Sequence, residues 1–293
     1  MKRPKLAIAP YRRHELRKGV YRFRKNTLSM VGLIIIVGMV LMAALAPWIT
    51  PYPSDATSFA TNFPIAFQPP SWAHWFGTDD AGRDMFTRVV FGTQVDLIVA
   101  AAVQAVVIAI GLPIGLISGY VGGRLRDIIL AISRVFITIP PLILALVAVT
   151  AFKPDLAVAA LVVTLAWWPW YTELVDGIVV SLKQEQFVEA SRTLGKPSFR
   201  IILEDIMPNT LPTMIVKATL DIGFVVILLS TLSFLGVGAQ EPTPSWGTMI
   251  SRSRLYLPGS WWISAFPGLF IFLAVLGFSL LGDGLRDLFD VQL

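Results

Sequence analysis

The sequence contains no cysteine, and only two of its 293 residues are histidine. The absence of thiols excludes disulfide bonds, thiol catalysis and cysteine-ligated zinc. His14 lies near the amino terminus and His74 lies in a distant loop, so the sequence indicates no metal site and no nucleophile–base pair. We therefore expect no catalytic residue, and we interpret His74 as a solvated loop residue.

Charged residues are also scarce, at 15% of the chain, whereas a typical globular domain has about 25%. Hydrophobic residues make up 55% and recur in runs near the ~20 residues that cross the hydrocarbon layer as a helix. This composition predicts an all-α, polytopic membrane helical bundle and leaves no room for a soluble domain. The net charge of +5 is unevenly placed, so we relate it to orientation in the lipid bilayer and not to nucleic acid.

Six transmembrane helices are predicted, at about 28–46, 93–120, 126–151, 156–181, 211–236 and 262–282. Residues 1–27 carry ten Lys and Arg against one acid, which predicts a cytoplasmic amino terminus by the positive-inside rule. An even number of crossings returns the carboxyl terminus to the cytoplasm. The predicted organisation is a cytoplasmic basic segment (1–27), a first helix with an external loop (28–91) and a five-helix core (92–293) with a cytoplasmic loop at 182–208.

Glycine and proline shape the predicted helices. Gly111, Gly115 and Gly119 recur every four residues in the second span, so one helix face lacks side chains. Such a face favours close packing on another helix, and a pore lining is the less favoured interpretation. Pro140 and Pro141 should bend or interrupt the third span, because proline removes a backbone donor.

The predicted cytoplasmic loop contains two helix-compatible stretches. The first covers 184–194, a break follows at 195–198, and the second covers 199–207 and stops at Pro208. Each stretch carries a small apolar face at helical spacing. The loop could lie on its own bundle or insert into a groove on a partner, and the residues alone leave both interpretations open.

This loop resembles the EAA loop of permease subunits of bacterial and archaeal ABC importers. The matching residues are Glu189, Ala190, Gly195, Ile206 and Pro208, and Ser191 replaces the second alanine of that motif. Four further groups of residues, at 76–88, 232–236, 244–247 and 281–287, are similar in order to the dipeptide/oligopeptide/nickel branch, of its DppC/OppC-like type.

The resemblance implies the type I permease fold of ABC importers and a cell-membrane subunit that does no chemistry itself. It implies a second, DppB/OppB-like permease, two ATP-binding subunits that hold ATP and Mg, and an extracytoplasmic substrate-binding protein. The coupling contact with the ATPases would be made by Glu189, Ala190, Ser191, Gly195, Ile206 and Pro208. The chain itself lacks a phosphate-binding loop, because its one Gly-Lys pair, Gly195-Lys196, is followed by Pro197.

Membership of this branch does not fix the cargo. Peptides are the first expectation, and oligosaccharides or nickel- or opine-type ligands are the alternative. Two other classes remain open as interpretations. A channel would need a pore-lining polar repeat, which we do not find in the sequence, and a membrane scaffold would have no use for a coupling loop.

Charges within the predicted spans depart from the family pattern. Relatives usually carry arginines where this chain has Glu173 and Asp176, and often an aspartate near the position of Arg134. Because an isolated charge in the bilayer is costly, we expect Arg134 to pair with Glu173 or Asp176. The alternative is that each side chain extends separately to the headgroups.

Three more charged residues, Asp96, Lys217 and Asp221, fall in or beside apolar spans. We expect them to line the translocation cavity and to influence its preference. Hydrogen bonds that serve only helix packing are the alternative interpretation.

Overall fold

The computed structural model describes residues 19–289, where the regular elements are helical and no β-strand forms. Residues 1–18, with His14 and most of the predicted basic segment, and residues 290–293 lie outside this description. The principal helices are α1 (Thr27–Ala44), α2 (Met85–Val121), α3 (Gly123–Thr138), α4 (Pro141–Ala151), α5 (Leu156–Leu182), α6 (Gln186–Thr193), α7 (Met207–Phe234), α8 (Trp246–Ser253) and α9 (Trp262–Phe289). Shorter turns of helix lie at Ala46–Ile49, Ser54–Thr57, Phe63–Ile65 and Ser198–Arg200. The predicted all-α bundle is confirmed.

In this described part, five helical segments are long and apolar enough to cross a membrane, or six if α3 and α4 form one span. These two helices meet at 84°. Ile139 and Pro140 at the junction have non-helical backbone angles, because the residue before a proline is driven out of the α region. The predicted interruption by the proline pair is confirmed. By length and composition, α3 with α4 is one broken span or a re-entrant loop, and we refer to this bent pair as the broken span.

The second membrane helix starts earlier than predicted. α2 begins at Met85, not at 93, and Asp84 caps it by accepting a hydrogen bond from the backbone N–H of Thr87. The hydropathy pattern excluded this first part because Arg88 interrupts the apolar run, whereas the fold buries Arg88 beside carboxylates. Residues 85–91 therefore belong to a core helix and not to the external loop.

The glycine face of α2 packs on α5, and this is the most extensive helix contact of the bundle. A Cβ on Gly111 would lie 2.6 Å from the Cβ of Tyr171, and a Cβ on Gly115 would lie 2.6 Å from that of Val175. A side chain at either position would therefore force the helices apart. The packing interpretation of the glycine spacing is confirmed. On the other side of the bundle, α9 contacts both α1 and α7.

The bundle has two ends of different construction. We call the end that carries residues 183–206 the hairpin end, and the end that carries residues 50–84 and 235–261 the cluster end. At the hairpin end, α6 stops before Gly195, whose φ of +76° is a left-handed conformation that glycine adopts without a Cβ clash.

The second half of the hairpin does not stop at Pro208, so that part of the prediction is wrong. Helical structure resumes at Ser198, passes through a π-helical segment, Ile201–Ile206, and continues as α7. Pro208 lies directly after the π-helical segment, at the start of α7, and does not end the helix. One helical stretch, Ser198–Phe234, therefore joins the hairpin to the membrane-spanning core.

Candidate functional site

The hairpin presents apolar side chains to the surroundings. Leu194 is 86% exposed and Phe199 is 70% exposed, and Phe187 and Leu203 are partly exposed, at 42% and 37%. Other apolar residues, Val188, Ile201 and Ile206, are buried against the bundle. The hairpin thus has one face that holds it on the helices and another that is left without an apolar partner in the chain described here.

The six residues predicted for ATPase coupling divide between these two faces. Glu189, Ala190 and Gly195 are exposed, and Ser191 and Pro208 are half-buried. Ile206 is fully buried. The geometry therefore leaves Glu189 and its neighbours accessible to a partner and uses Ile206 to anchor the hairpin.

Polar contacts also fix the hairpin on the end of α2. The Lys183 ammonium donates to the backbone carbonyl of Tyr120 at 2.5 Å, and the Arg192 guanidinium lies 5.4 Å from the centre of the Tyr120 ring. Within the hairpin, the Lys196 ammonium bonds Asp205 at 2.8 Å. Tyr120 was not among the predicted contact residues. Its position at the predicted end of a membrane helix, where tyrosine is common, would have pointed to it.

Arg134, Glu173 and Asp176 were predicted to form an ion pair. In the structure Arg134 pairs with Glu173, whereas Asp176 has another partner. The Arg134 Nε lies 3.4 Å from the Glu173 Oε1, with the arginine side chain 71% exposed. Asp176 is buried and bonds the Arg126 guanidinium at 2.8 Å and the Ser118 hydroxyl at 2.7 Å. The structure thus brings Arg134 to Glu173 and places Arg126, which was not among the predicted partners, against Asp176.

A polar network crosses the interior between α2, α5 and α7. The Lys217 ammonium bonds the Asp221 Oδ1 at 2.7 Å, and the Tyr171 hydroxyl donates to the Asp221 Oδ2 at 2.9 Å. Gln104 donates in turn to the Tyr171 hydroxyl at 2.6 Å. Lys217 and Asp221 line a cavity of about 340 Å³ beside the broken span. Gln104 was not predicted as part of this site. A single amide side chain within an apolar span could have indicated it.

Asp96 is not part of this cavity. Its carboxylate is buried and accepts hydrogen bonds from the Ser245 hydroxyl and from the Trp246 backbone N–H, both at 2.9 Å. These contacts join α2 to the start of α8 and match the packing interpretation. The structure therefore brings together Lys217 and Asp221 but leaves Asp96 apart from them.

The cluster end contains a partly buried group of ion pairs around Glu241. The carboxylate of Glu241 bonds Arg83 at 2.6 Å, Arg88 at 2.9 Å and Arg252 at 2.7 Å. Burial alone would raise the pKa of Glu241, but the neighbouring Arg88 and Arg83 guanidinium groups lower it to about 2. Asp79 also bonds Arg83, at 2.7 Å, so the loop before α2 is fixed to the start of α2 and to α8. We call this group the Glu241 cluster.

One residue at this end, His74, differs from the sequence interpretation. His74 is buried, not solvated, and its Nδ1 lies 2.9 Å from the Asp84 carboxylate that caps α2. Trp262 is also buried, and its indole N–H donates to the Thr78 carbonyl at 3.0 Å. Both side chains hold the loop to the bundle. Within residues 19–289, no group of three or more His, Cys, Asp and Glu residues is arranged to hold a metal ion.

The chain is similar to known transport proteins along most of its length. A family model described as "Binding-protein-dependent transport system inner membrane component" matches residues 111–292, and one described as "N-terminal TM domain of oligopeptide transport permease C" matches residues 16–70. The dipeptide transport system permease protein DppC of Escherichia coli (strain K12) is 40% identical, over 99% of this chain and 97% of its own length. The probable D,D-dipeptide transport system permease protein DdpC of the same strain is 38% identical, over 93% of this chain and 90% of its own. The oligopeptide transport system permease protein OppC of Bacillus subtilis (strain 168) is 36% identical, over 93% and 88% respectively.

A solved structure of the MetNI methionine ABC transporter, in an inward-facing conformation, also resembles this chain. The TM-score is 0.52 at 18% identity, and the match covers 69% of this chain and 97% of the other. At that identity the likeness concerns the fold alone, and it agrees with the permease fold that the hairpin motif led us to expect.

Proposed function

The chain belongs to the family of inner membrane components of binding-protein-dependent transport systems, and from that premise we propose that it carries di- and oligopeptides inward as one half of an ATP-driven importer. The observation that carries this proposal is the set of relatives named for dipeptide or oligopeptide transport, which are 36–40% identical over more than nine tenths of the chain. Oligosaccharides, the alternative cargo, find no counterpart in those names.

The hairpin end faces the cytoplasm in this proposal, with both termini on the same side. Basic residues support the orientation, because Arg124 and Arg126 follow α2 and Lys183, Arg192 and Lys196 lie in the hairpin. Asn26 lies within hydrogen-bonding distance of Asp287, which supports a common side for the two ends of the chain. The cluster end then faces outward, towards a substrate-binding protein.

The hairpin is the docking site for one of the two ATP-binding subunits. Its exposed apolar residues, Leu194 and Phe199, would insert into a groove of that subunit, as an amphipathic helix does in other helix-in-groove complexes. The exposed Glu189 makes no side-chain hydrogen bond or ion pair within residues 19–289 and would supply a polar contact. ATP and Mg belong to the partner subunits, and this chain contributes motion rather than catalysis.

The second permease covers the side of the bundle that carries the broken span and the cavity. α4 and α5 expose apolar residues there, including Leu146, Val147 and Leu161. The translocation pathway would then run between the two permeases, along Lys217 and Asp221. Asp96 is left out of this pathway, because its carboxylate is used in packing.

Reconstitution tests the proposal. The chain is co-expressed with its second permease, its ATP-binding subunits and its binding protein, and the assembly is placed in proteoliposomes. We expect uptake of radiolabelled dialanine that requires both ATP and the binding protein, and no uptake of maltotriose. Uptake without ATP would indicate a channel, and uptake of the sugar alone would replace the proposed cargo.

A further inference from the structure

The ion pair formed by Lys217 and Asp221 lies deep in the membrane-spanning part of the bundle. At about 1.5 Å per residue, the two residues are roughly 15 and 21 Å along α7 from Met207. Both are on one helix face, one turn apart. Ionised side chains at such a depth are costly and usually line substrate or ion pathways, so the pair calls for a functional explanation.

The Asp221 carboxylate is already satisfied by the protein. Lys217 bonds one oxygen, and the Tyr171 hydroxyl and the Trp167 indole N–H, at 2.9 and 3.3 Å, donate to the other. The Asp221 side chain is only 2% exposed. An ammonium group of a ligand would have to displace one of these donors, so Asp221 is placed to hold Lys217 rather than to bind cargo.

Lys217 differs from its partner in both exposure and bonding. Its side chain is 32% exposed and lines the cavity, and its ammonium makes one protein contact within the described residues, to Asp221. An ammonium has three donors, so two remain for an anion. The cavity walls are otherwise mainly apolar and include Trp167, Trp170 and Phe224. A charge-assisted hydrogen bond formed there is stronger than one formed in water.

The size of the cavity suits a small ligand. Its volume of about 340 Å³ lies within the range of roughly 300–1,000 Å³ that is usual for small-molecule sites. A peptide has a terminal carboxylate and apolar side chains, which match an ammonium surrounded by aromatic rings. A neutral sugar would leave the Lys217 donors facing hydroxyl groups alone.

We propose that Lys217 binds the carboxylate of a peptide in transit, with Asp221 as the positioning residue and with Trp170 and Phe224 against the apolar part of the ligand. This inference rests on the proposed function and adds a ligand group and a contact residue to it. Because Asp221 compensates the charge of Lys217, the empty site is neutral. It therefore attracts the carboxylate less than an unpaired lysine would, which allows the peptide to leave.

Direct binding of dialanine and of dialanine amide to the purified permease–ATPase assembly, without the binding protein, tests this inference. The double variant Lys217→Met with Asp221→Asn removes both charges together, so that no unpaired charge remains buried. We expect dialanine to bind the double variant about tenfold more weakly than the wild type, and the amide to bind both equally weakly. Lys217→Arg should stay within about threefold of the wild type, since it keeps the positive charge.

Lys25→Gln is the matched control, because it removes an exposed cation at the hairpin end, and it should not alter binding. Thermal unfolding and basal ATP hydrolysis report whether each variant assembles. The wild-type comparison of dialanine with its amide requires no substitution. Equal binding of the two ligands by the wild type, or equal loss of both in the double variant, would overturn the role of Lys217, as would absence of saturable dialanine binding to the wild type.

Failure of the two proposals can be told apart. If the wild type imports no peptide in proteoliposomes, the proposed function is wrong. If the wild type imports dialanine and the double variant binds and imports it equally well, only the assignment of Lys217 is wrong.

Discussion

The Glu241 cluster and the hairpin use their side chains in opposite ways. At the cluster end, Glu241 and its three arginines are bonded to one another and to neighbouring groups of the same chain, largely out of solvent. At the hairpin end, Leu194 and Phe199 extend apolar surface to the outside. The comparison teaches that the charges of the Glu241 cluster find their partners within this chain, whereas the exposed apolar surface of the hairpin is the part that we propose an ATP-binding subunit covers.

Removing the charge of Glu241 should disrupt the Glu241 cluster and have the largest effect. In Glu241→Gln, Arg83, Arg88 and Arg252 lose the carboxylate that they share. We expect the free energy of unfolding to fall by about 3–5 kcal/mol, as for other broken buried ion pairs, measured by denaturation in detergent. Glu185→Gln, an exposed change at the hairpin end, should cost less than about 0.5 kcal/mol. Equal costs would remove the distinction between the two ends.

Acid should weaken the same cluster without a mutation. The pKa of Glu241 is lowered in the folded protein from its ordinary 4.5 to about 2. The unfolded chain therefore takes up the proton first, so the contribution of Glu241 to stability is present above pH 4.5 and is lost as the pH falls towards 2. The difference in stability between wild type and Glu241→Gln should stay constant from pH 7 to about pH 5 and shrink below that. A difference that shrinks on raising the pH would contradict the prediction.

A polar substitution at the hairpin should spare the fold and reduce assembly. In Phe199→Ser, the exposed ring proposed to enter the ATPase groove is lost. We expect the affinity for the ATP-binding subunit, measured in a pull-down titration, to fall about tenfold, or roughly 1.4 kcal/mol. Phe59→Ser is the matched control, since Phe59 is 73% exposed at the cluster end and Phe199 is 70% exposed. If both variants bind the ATPase as the wild type does, Phe199 is not a contact residue.

A methyl group at Gly195 should have an effect of similar size that is confined to the hairpin. In Gly195→Ala, space is available around the new Cβ, but a φ of +76° costs a residue with a side chain about 1–2 kcal/mol. We expect a local loss of that size, seen as faster amide hydrogen exchange in 186–200, with overall stability little changed. Gly38→Ala is the control, because Gly38 lies in α1 with equal space for a Cβ and without a left-handed backbone. It should leave amide hydrogen exchange in 186–200 unaltered.

Neutralising Arg134 should have the smallest effect. Its side chain is 71% exposed, and exposed ion pairs contribute roughly 0–1 kcal/mol, so Arg134→Gln should lower the free energy of unfolding by less than about 1 kcal/mol. Arg126→Gln is the informative comparison, because it leaves the buried Asp176 with the Ser118 hydroxyl alone. A larger loss for Arg134 than for Arg126 would mean that the Arg134–Glu173 pair is the stronger of the two.

Much of the fold could be predicted because it follows from sequence patterns that lie within individual helices. The apolar runs gave the spans, the spacing of Gly111, Gly115 and Gly119 gave the close helix contact, and the proline pair gave the break between α3 and α4. Each of these signals depends on residues within one segment, and none requires knowledge of a partner helix.

The errors concern residues whose environment is created by distant parts of the chain. Arg88 ended the predicted apolar run, yet Glu241, far along the sequence, makes its burial possible. His74 was interpreted as solvated because nothing local indicates its contact with Asp84. At the candidate site, Lys217 and Asp221 were identified from sequence, whereas the Gln104 and Tyr171 bonds that support Asp221 required the folded structure.

The helical continuity of Ser198–Phe234 has a mechanical consequence. Ser198, in the hairpin, and Asp221, in the cavity, lie on the same helix, which we treat as a rod. They are about 35 Å apart at 1.5 Å per residue. If the rod pivots at one end, a tilt of about 10° moves the other end by roughly 6 Å, the length of about four residues of helix. A modest displacement imposed on Phe199 would thus be enough to change the walls of the cavity. The π-helical segment Ile201–Ile206 and Pro212 lie between the two residues and are the places where the helix could bend and absorb the movement.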